Sequence, residues 1–339
     1  MYWFVFALLS LTITSLTCNL ILVFRFVWPG NSRSKRLAQN LTVSLISLLF
    51  MVILLELFFK LIFAQSDTFG FTLAQDNWHI RYVKTNSLGY RDIEWTPALL
   101  AGKTKIMVLG DSFVEGVGIE NPADRFADRS GHMLGNNYAV INAGIGGAST
   151  KEEIKNAFSY PYRPDVLILC FYVNDIHDSA KDMGFNPPDL KPKVPFLVND
   201  SYAFNFFYWR IFRLGQRADN LYWHWLLSMY DNPDVWAVYR SELLQFHEAA
   251  QIYGYKLVVV VFPEMRAVEE SRPITSKVVN LYREQGVPVL DVTDLVAGMD
   301  PADLVANPVD SHPNEFVHGM VAKELYKLIT SKKHQVMVH

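Results

Sequence analysis

The chain has 339 residues, of which 50% are hydrophobic, and a formal net charge of −3. So small a negative charge gives no basic surface for nucleic acid, and so high a hydrophobic fraction indicates membrane segments beside one large globular domain. The two cysteines, Cys18 and Cys170, lie in an apolar N-terminal run and in a predicted buried strand, so we expect no disulfide between them.

Two apolar runs near the N-terminus, residues 3–24 and 41–63, are each long enough to cross a bilayer core of about 30 Å. The loop between them carries Arg25 and the basic stretch 31–36. Because basic residues stay on the cytoplasmic side, we predict a transmembrane hairpin over residues 1–64. The N-terminus and the rest of the chain would then lie outside the cytoplasm, in the periplasm or at the cell surface. A cleaved signal peptide is the alternative for the first run, which lacks the required basic start.

Glu56 and Lys60 interrupt the second apolar run. They are four residues apart, on one face of a helix, where they can pair. A charge inside a membrane span often marks a functional site. Near the outer end of a span, however, a lysine can simply extend to the headgroups, and that position favours the second interpretation.

An α/β rhythm follows the membrane part. Residues 65–100 are expected to form a linker that becomes ordered, and residues 101–332 one large folded domain. The predicted strands are 105–109, 138–141, 166–172, 257–262 and 287–292, and the clearest helices are 235–252, 276–285 and 316–329. Such nearly continuous apolar strands are typical of a parallel sheet covered on both faces. The alternation predicts a doubly wound α/β domain with a five-stranded, mostly parallel sheet.

One stretch, residues 178–234, is longer than a simple crossover requires. It begins with prolines typical of a loop and continues with many aromatic residues. Insertions of this kind often shape a pocket on an α/β scaffold. The aromatic side chains are expected to pack in the core, to form an interfacial belt on the outer leaflet, or to stack against sugar rings.

Polar residues follow the predicted strands where ligands bind in open parallel sheets. Ser112 follows the first strand, Gly144 the second and Asn174 the third, while Asp310 and His312 lie past the fifth. A serine nucleophile needs an adjacent base, which His312 can supply, with Asp310 to orient it. The N–H groups of Ser112 and Gly144 and the side-chain amide of Asn174 can stabilise an oxyanion. Each residue alone has a structural explanation as a turn or cap, so the inference rests on their conjunction.

Three other residues are weaker candidates for the same site. Asp111 and His177 are lower-ranked candidates for substrate contacts, and His318 is better explained by packing or capping. No zinc-type Cys/His spacing and no P-loop motif occurs, so neither a metal nor an organic cofactor is expected.

These four blocks resemble the SGNH (GDSL-like) hydrolase superfamily, and the similarity extends from about residue 86 to the closing helix. The resemblance implies a flavodoxin-like fold, with Ser112 as nucleophile, Gly144 and Asn174 as oxyanion donors and His312 as base. The stretch 86–92 is similar to that of bacterial members often associated with cell-surface polysaccharides.

One position departs from the family pattern. The family's acid usually lies three residues before the histidine, where this chain has Val309, whereas Asp310 lies only two before it. Either Asp310 still reaches His312 in a triad, or a backbone carbonyl orients the imidazole in a dyad.

The combined expectation is a membrane-anchored, extracytoplasmic serine esterase or O-acyltransferase. Its substrate would be an acetyl or other short O-acyl group on a cell-envelope polysaccharide or lipid, with the membrane and other membrane-protein subunits as partners. The alternative from another class is a non-catalytic subunit of the same fold that binds a glycan or joins a membrane complex. A third hypothesis is a lipase-like enzyme acting on phospholipid.

Overall fold

The structure is a computed structural model that describes residues 32–189, 194–212 and 214–331. The chain divides into two compact units. The N-terminal unit comprises Met1–Gln65, Phe71–Trp78 and Lys191–Leu214, and the sheet unit comprises Ser66–Gly70, His79–Leu190 and Gly215–His339. The predicted insertion is therefore divided between the units rather than belonging to one of them.

The described residues form helices and strands with the following bounds. The helices are α1 (Ser32–Leu61), α2 (Leu73–Tyr82), α3 (Pro97–Leu100), α4 (Ser112–Glu115), α5 (Phe126–Leu134), α6 (Thr150–Ser159), α7 (His177–Asp182), α8 (Phe196–Asp200), α9 (Tyr202–Phe212), α10 (Leu214–Asp231), α11 (Pro233–Tyr253), α12 (Val268–Glu284), α13 (Val292–Leu295) and α14 (Glu315–Thr330). The strands are β1 (Thr104–Gly110), β2 (Tyr138–Gly144), β3 (Val166–Phe171), β4 (Lys256–Val261), β5 (Val289–Asp291), β6 (Val305–Asn307) and β7 (Asp310–Pro313).

Helix α1 contains the second of the two predicted membrane runs. The most apolar 18-residue window within residues 33–61 has a mean hydropathy of 2.5, and only 6% of this window is buried in the protein. By length and composition this helix can cross a membrane. The first predicted run, residues 3–24, lies outside the described residues, so the structure shows one candidate span and not the hairpin.

The sheet unit is built on the five-stranded parallel sheet that the sequence predicts, with strand order β2-β1-β3-β4-β5. Every residue of β3 is buried, as the continuous run of apolar side chains in a central strand requires. The chain passes from β1 outward to β2 and returns to β3 on the other side of β1. The strand order thus reverses between β1 and β3, and the carboxyl ends of these two strands are where such sheets bind ligands.

A short antiparallel pair, β6 and β7, lies apart from this sheet. All four residues of β7 are buried, including Asp310 and His312. The residues of β7 are polar or proline, so no apolar alternation indicates a strand, and only its pairing with β6 defines it.

Candidate active site

Ser112 lies at the sharp turn between β1 and α4. Asp111 caps this helix, because its Oδ1 accepts a hydrogen bond of 3.0 Å from the Phe113 N–H. Gly116 ends the helix after a single turn with a φ of 79°, a left-handed conformation that favours glycine. Position 110 favours glycine for a different reason, since a Cβ there would lie 2.5 Å from Val114 Cγ2. The turn leaves Ser112 half-buried beside the sheet edge.

The structure brings Ser112, His312 and Asp310 together in one chain of hydrogen bonds. His312 Nε2 lies 2.8 Å from Ser112 Oγ, and His312 Nδ1 lies 2.5 Å from Asp310 Oδ1. Asp310 also accepts the backbone N–H of His312 at 3.1 Å, which fixes the short spacing between acid and base. This is the arrangement of a nucleophile, a base and an orienting acid.

Burial makes the charges of this pair depend on each other. Burial acts to raise the pKa of Asp310, but the charge and hydrogen bond of His312 outweigh it and lower that pKa below its ordinary value. Burial likewise acts to lower the pKa of His312, but the carboxylate of Asp310 outweighs it and raises that pKa. Asp310 is therefore placed to stabilise the imidazolium that forms when His312 takes a proton.

Asn174 is half-buried just past the end of β3. Its backbone carbonyl accepts the His177 N–H at 2.9 Å, while its side-chain amide bonds to none of the described residues. The amide is thus free to donate to a ligand.

Gly144 has a structural role that the sequence did not reveal. Its N–H donates to Asn142 Oδ1 at 3.1 Å, so this donor is already engaged. A Cβ at position 144 would lie 2.2 Å from the Glu115 N atom, which explains why α4 can pack here only against glycine. Three residues on, Gly147 is exposed with a φ of 77°, and its N–H bonds to none of the described residues. Its loop adjoins the nucleophile, because a Cβ on Gly146 would lie 4.0 Å from Ser112 Cβ.

The two lower-ranked candidates lie in different surroundings. Asp111 is buried, and its Oδ2 accepts a hydrogen bond of 3.3 Å from the Ser112 hydroxyl. Asp111 thus stabilises the turn between β1 and α4. Its burial raises its pKa. His177 is half-buried, with Nδ1 2.9 Å from the hydroxyl of Tyr222 and its ring 5.3 Å from that of Trp225. His177 thus belongs to an aromatic cluster.

His318 packs inside the domain. Its ring stacks on Phe126 and its Nδ1 accepts the Phe126 N–H at 3.0 Å. Burial lowers the pKa of His318 to about 3, so the imidazole stays neutral.

A buried arginine, which sequence reasoning missed, supports the turn that carries Ser112. The Arg91 guanidinium donates to the carbonyls of Gly116 and Ile119, each at 2.7 Å, and is 1% exposed. Its neighbour Asp92 accepts the Asn142 N–H at 2.9 Å. The segment before the sheet thus holds the ends of both α4 and β2. The turn residues 86–92 were the only local signal for this role.

The geometry agrees with what comparison of the whole chain shows. Residues 108–319 match the GDSL-like lipase/acylhydrolase family, and since this match covers more than half of the chain, the protein belongs to that family. A comparison with curated proteins gives no match.

Solved structures of the family are similar at low identity. A lipase/acylhydrolase from Enterococcus faecalis is 15% identical, with 66% of this chain and 94% of that chain covered and a TM-score of 0.41. A carbohydrate acetylesterase from Sinorhizobium meliloti is 12% identical, with 68% and 99% covered and a TM-score of 0.39. A G-D-S-L family protein from Veillonella parvula is 14% identical, with 68% and 98% covered and a TM-score of 0.39.

Proposed function

We propose that this protein is a serine esterase or O-acyltransferase in which Ser112 is the nucleophile, His312 the general base and Asp310 the acid that orients it. The hydrogen-bond chain from Asp310 through His312 to Ser112, with distances of 2.5 and 2.8 Å, carries the proposal. With Nδ1–H donated to Asp310, the His312 tautomer leaves Nε2 free to accept the proton of the serine hydroxyl.

The proposed reaction proceeds through an acyl-enzyme. His312 takes the proton of Ser112 as Oγ bonds to the carbonyl carbon of the ester, giving a tetrahedral oxyanion. The oxyanion collapses, the ester C–O bond breaks, and His312 returns the proton to the leaving alcohol. Water, or the hydroxyl of an acceptor, then attacks the acyl group on Ser112 with His312 again as base. The bond between Ser112 Oγ and the acyl carbon breaks, and His312 returns the proton to Ser112. Water makes the enzyme a hydrolase and an acceptor hydroxyl makes it a transferase.

Donors for the oxyanion come from three loops in this proposal. The Ser112 N–H lies at the start of α4, and the free amide of Asn174 lies past β3. Because the Gly144 N–H is bonded to Asn142, we assign the third donor to Gly147, whose N–H is free of the described residues. One preorganised oxyanion donor lowers the activation free energy of a serine hydrolase by about 3–4 kcal/mol.

The proposed substrate is an O-acyl group on a cell-envelope glycan or lipid, handled outside the cytoplasm. Two features of α1 support this location. The helix is long and apolar enough to cross a membrane, and Arg33, Lys35 and Arg36 lie at its start. Basic residues on the cytoplasmic side place the remainder of the chain on the other side of the membrane.

Ser112→Ala tests the nucleophile. We expect this variant to lose hydrolysis of a short activated ester by about 10⁴-fold or more, and to lose labelling by a fluorophosphonate, because the proposed acyl-enzyme forms on Ser112 Oγ. Ser159→Ala, at an exposed serine on α6, is the matched control and should retain both. If Ser112→Ala hydrolyses the ester as fast as the control, the proposed nucleophile is wrong.

A further inference from the structure

Within the N-terminal unit, α9 runs alongside the outer end of α1. The first residues of α9 contact Glu56, the Phe206 ring stacks on Phe59 with centroids 4.2 Å apart, and Arg210 hydrogen-bonds to Gln65. Contacts that advance together along both helices mean that the two run in the same direction. Helix α9 therefore starts beside the apolar span and ends beside the segment that leaves it.

Glu56 caps α9 although it belongs to another helix. Its Oε2 accepts the hydroxyl of Ser201 at 2.7 Å and the Ala203 N–H at 3.0 Å, and its Oε1 accepts the Tyr202 N–H at 3.0 Å. The carboxylate is 8% exposed. The first N–H groups of a helix lack partners within it and favour a negative charge. Glu56 satisfies them, which explains an acid in a predominantly apolar span.

Another side of α9 presents an apolar face, at whose edge Phe207 meets Phe59 of α1 with ring centroids 5.7 Å apart. Phe204, Phe207 and Ile211 are three and four residues apart, hence on one side of the helix, and are 53%, 44% and 71% exposed. On α1, Leu57 and Leu61 at the same end are 46% and 64% exposed. Aromatic and aliphatic side chains of this size are normally covered.

The position of Glu56 along α1 identifies what covers this face. At a rise of about 1.5 Å per residue, about 20 residues cross the hydrocarbon core, so a span beginning near Leu41 ends near Lys60. Glu56 then lies about 6 Å inside the boundary, and so does the start of α9. The exposed Arg210, near the C-terminal end of α9, lies where the helix reaches water.

We propose that α9 is a second membrane-embedded element, with its Phe204–Phe207–Ile211 face on the acyl chains of the extracytoplasmic leaflet and with Glu56 as the cap that holds its N-terminus there. This inference rests on the membrane anchor of the proposed function. The exposed side of α1 is apolar as well. We therefore expect the same lipid surface to cover both helices.

Depth measurements in proteoliposomes test the proposal. Single cysteines carrying a fluorophore are placed by Phe204→Cys, Phe207→Cys and Ile211→Cys in a Cys18→Ser background, in which Cys170 is buried. Leu48→Cys, at the middle of the span, reports insertion of α1, and Glu248→Cys, at an exposed site on α11, reports water. Phospholipids brominated on the acyl chains and aqueous iodide serve as the two quenchers.

We expect the three labels on α9 to be quenched by brominated lipid, as Leu48→Cys is, and shielded from iodide. Quenching by iodide alone, as for Glu248→Cys, would overturn the inference while a lipid-quenched Leu48→Cys leaves the anchor intact. Shielding from both quenchers would assign the face to a protein partner and also overturn it. If Leu48→Cys is itself in water, the anchor fails and the inference fails with it, whereas activity towards a short ester is unaffected.

The cap is tested in the same assay. Glu56→Ala leaves the first N–H groups of α9 without an acceptor, so the ratio of lipid to iodide quenching at Phe207→Cys should fall about fivefold. Glu56→Gln keeps one acceptor oxygen, so it should lower this quenching ratio less than Glu56→Ala does. Equal ratios in Glu56→Ala and the parent chain would show that Glu56 does not hold the helix in the bilayer.

Discussion

The residues of the site differ in what they require from their surroundings. Asp310 is completely buried and its charge is stable only because His312 faces it at 2.5 Å, whereas Ser112 stays partly open to substrate. Removing a partner from a buried charged pair is costly, because it leaves the other charge uncompensated. The protonation of His312 and the charge of Asp310 must therefore be considered together.

The pH dependence of activity follows from this pair. His312 acts as a base only when neutral, and its pKa is raised by Asp310, so kcat/KM should fall as the pH decreases through a midpoint above 6.5. Asp310→Asn removes the charge that holds the proton on His312. The midpoint should then move to lower pH, and kcat should fall about ten- to a thousandfold because the tautomer is no longer fixed.

The measurement is a pH–rate profile with a soluble ester. Asp303→Asn, at an exposed aspartate, is the control and should leave the midpoint in place. An unchanged midpoint in Asp310→Asn would show that a main-chain oxygen, and not Asp310, sets the pKa of His312.

Gly144 offers a second test at the residue scale. A Cβ there would press on the Glu115 backbone at 2.2 Å, so Gly144→Ala must displace α4 and with it Ser112. Overpacking of this kind costs about 1–3 kcal/mol in unfolding free energy. We expect lower stability in denaturant and reduced kcat. Gly135→Ala, where a Cβ meets nothing within 4 Å but φ is 80°, should lose stability without losing kcat.

At the scale of elements, the turn that carries Ser112 needs stabilising contacts from outside helix α4. Helix α4 has only four residues, and the loop that follows it is held by the Arg91 guanidinium from the segment before the sheet. Arg91 in turn lies close to Arg125, whose Nη1 donates to the Arg91 carbonyl at 2.6 Å. The repulsion between the two guanidinium groups is balanced partly by the carboxylates of Glu115 and Asp128. Burial, together with the charge of Arg125, lowers the pKa of Arg91 to about 10.

Arg91→Met should therefore destabilise the sheet unit. Two carbonyls would lose their donor inside the protein, which costs about 3 kcal/mol or more of unfolding free energy. Denaturant unfolding followed by circular dichroism measures this loss. Arg283→Met, at an exposed arginine on α12, is the control and should change stability by less than about 0.5 kcal/mol. A comparable small loss in Arg91→Met would contradict the role assigned to this side chain.

The strand that carries His312 is also held by a neighbouring segment. Thr68 donates its backbone N–H to the Val309 carbonyl at 3.2 Å, and its Oγ1 accepts the Ser311 N–H at 2.9 Å. Thr68→Val keeps the shape but removes the acceptor. We expect a loss of about 1 kcal/mol in stability and a fall in kcat at nearly constant KM. Thr96→Val, which removes the cap of α3, should cost similar stability and leave kcat unchanged.

At the scale of the whole molecule, the proposed location depends on the orientation of α1. A cysteine in place of Ser34 should be protected from a membrane-impermeant thiol reagent in intact cells, because basic residues at that end keep it inside. A cysteine in place of Glu284, exposed at the end of α12, should be labelled. The opposite pattern would place the active site in the cytoplasm and remove envelope glycans from the proposed substrates.

Much of the fold and part of the site follow from local sequence. Apolar runs of four to seven residues predict buried parallel strands, and the observed sheet has five parallel strands, although β5 is half-buried and has only three residues. Ser112 and Asn174 were predicted because polar residues at the carboxyl ends of parallel strands converge on one edge. His312 was predicted from its place just before the closing helix, and it lies on β7, outside the parallel sheet. The apolar part of α1 was predicted as the run 41–63, but the helix begins at Ser32, so the basic residues expected in a loop belong to its first turns.

Contacts between distant parts of the chain decided the rest. Only folding shows that Asn142 occupies the Gly144 N–H, that Arg91 supports the nucleophile turn, and that β7 is a strand. Glu56 and Ser201 are 145 residues apart, so the cap on α9 has no signature in either segment alone. Local propensity and periodicity depend on near neighbours, whereas a hydrogen bond to a remote backbone group exists only once the tertiary structure brings its partners together.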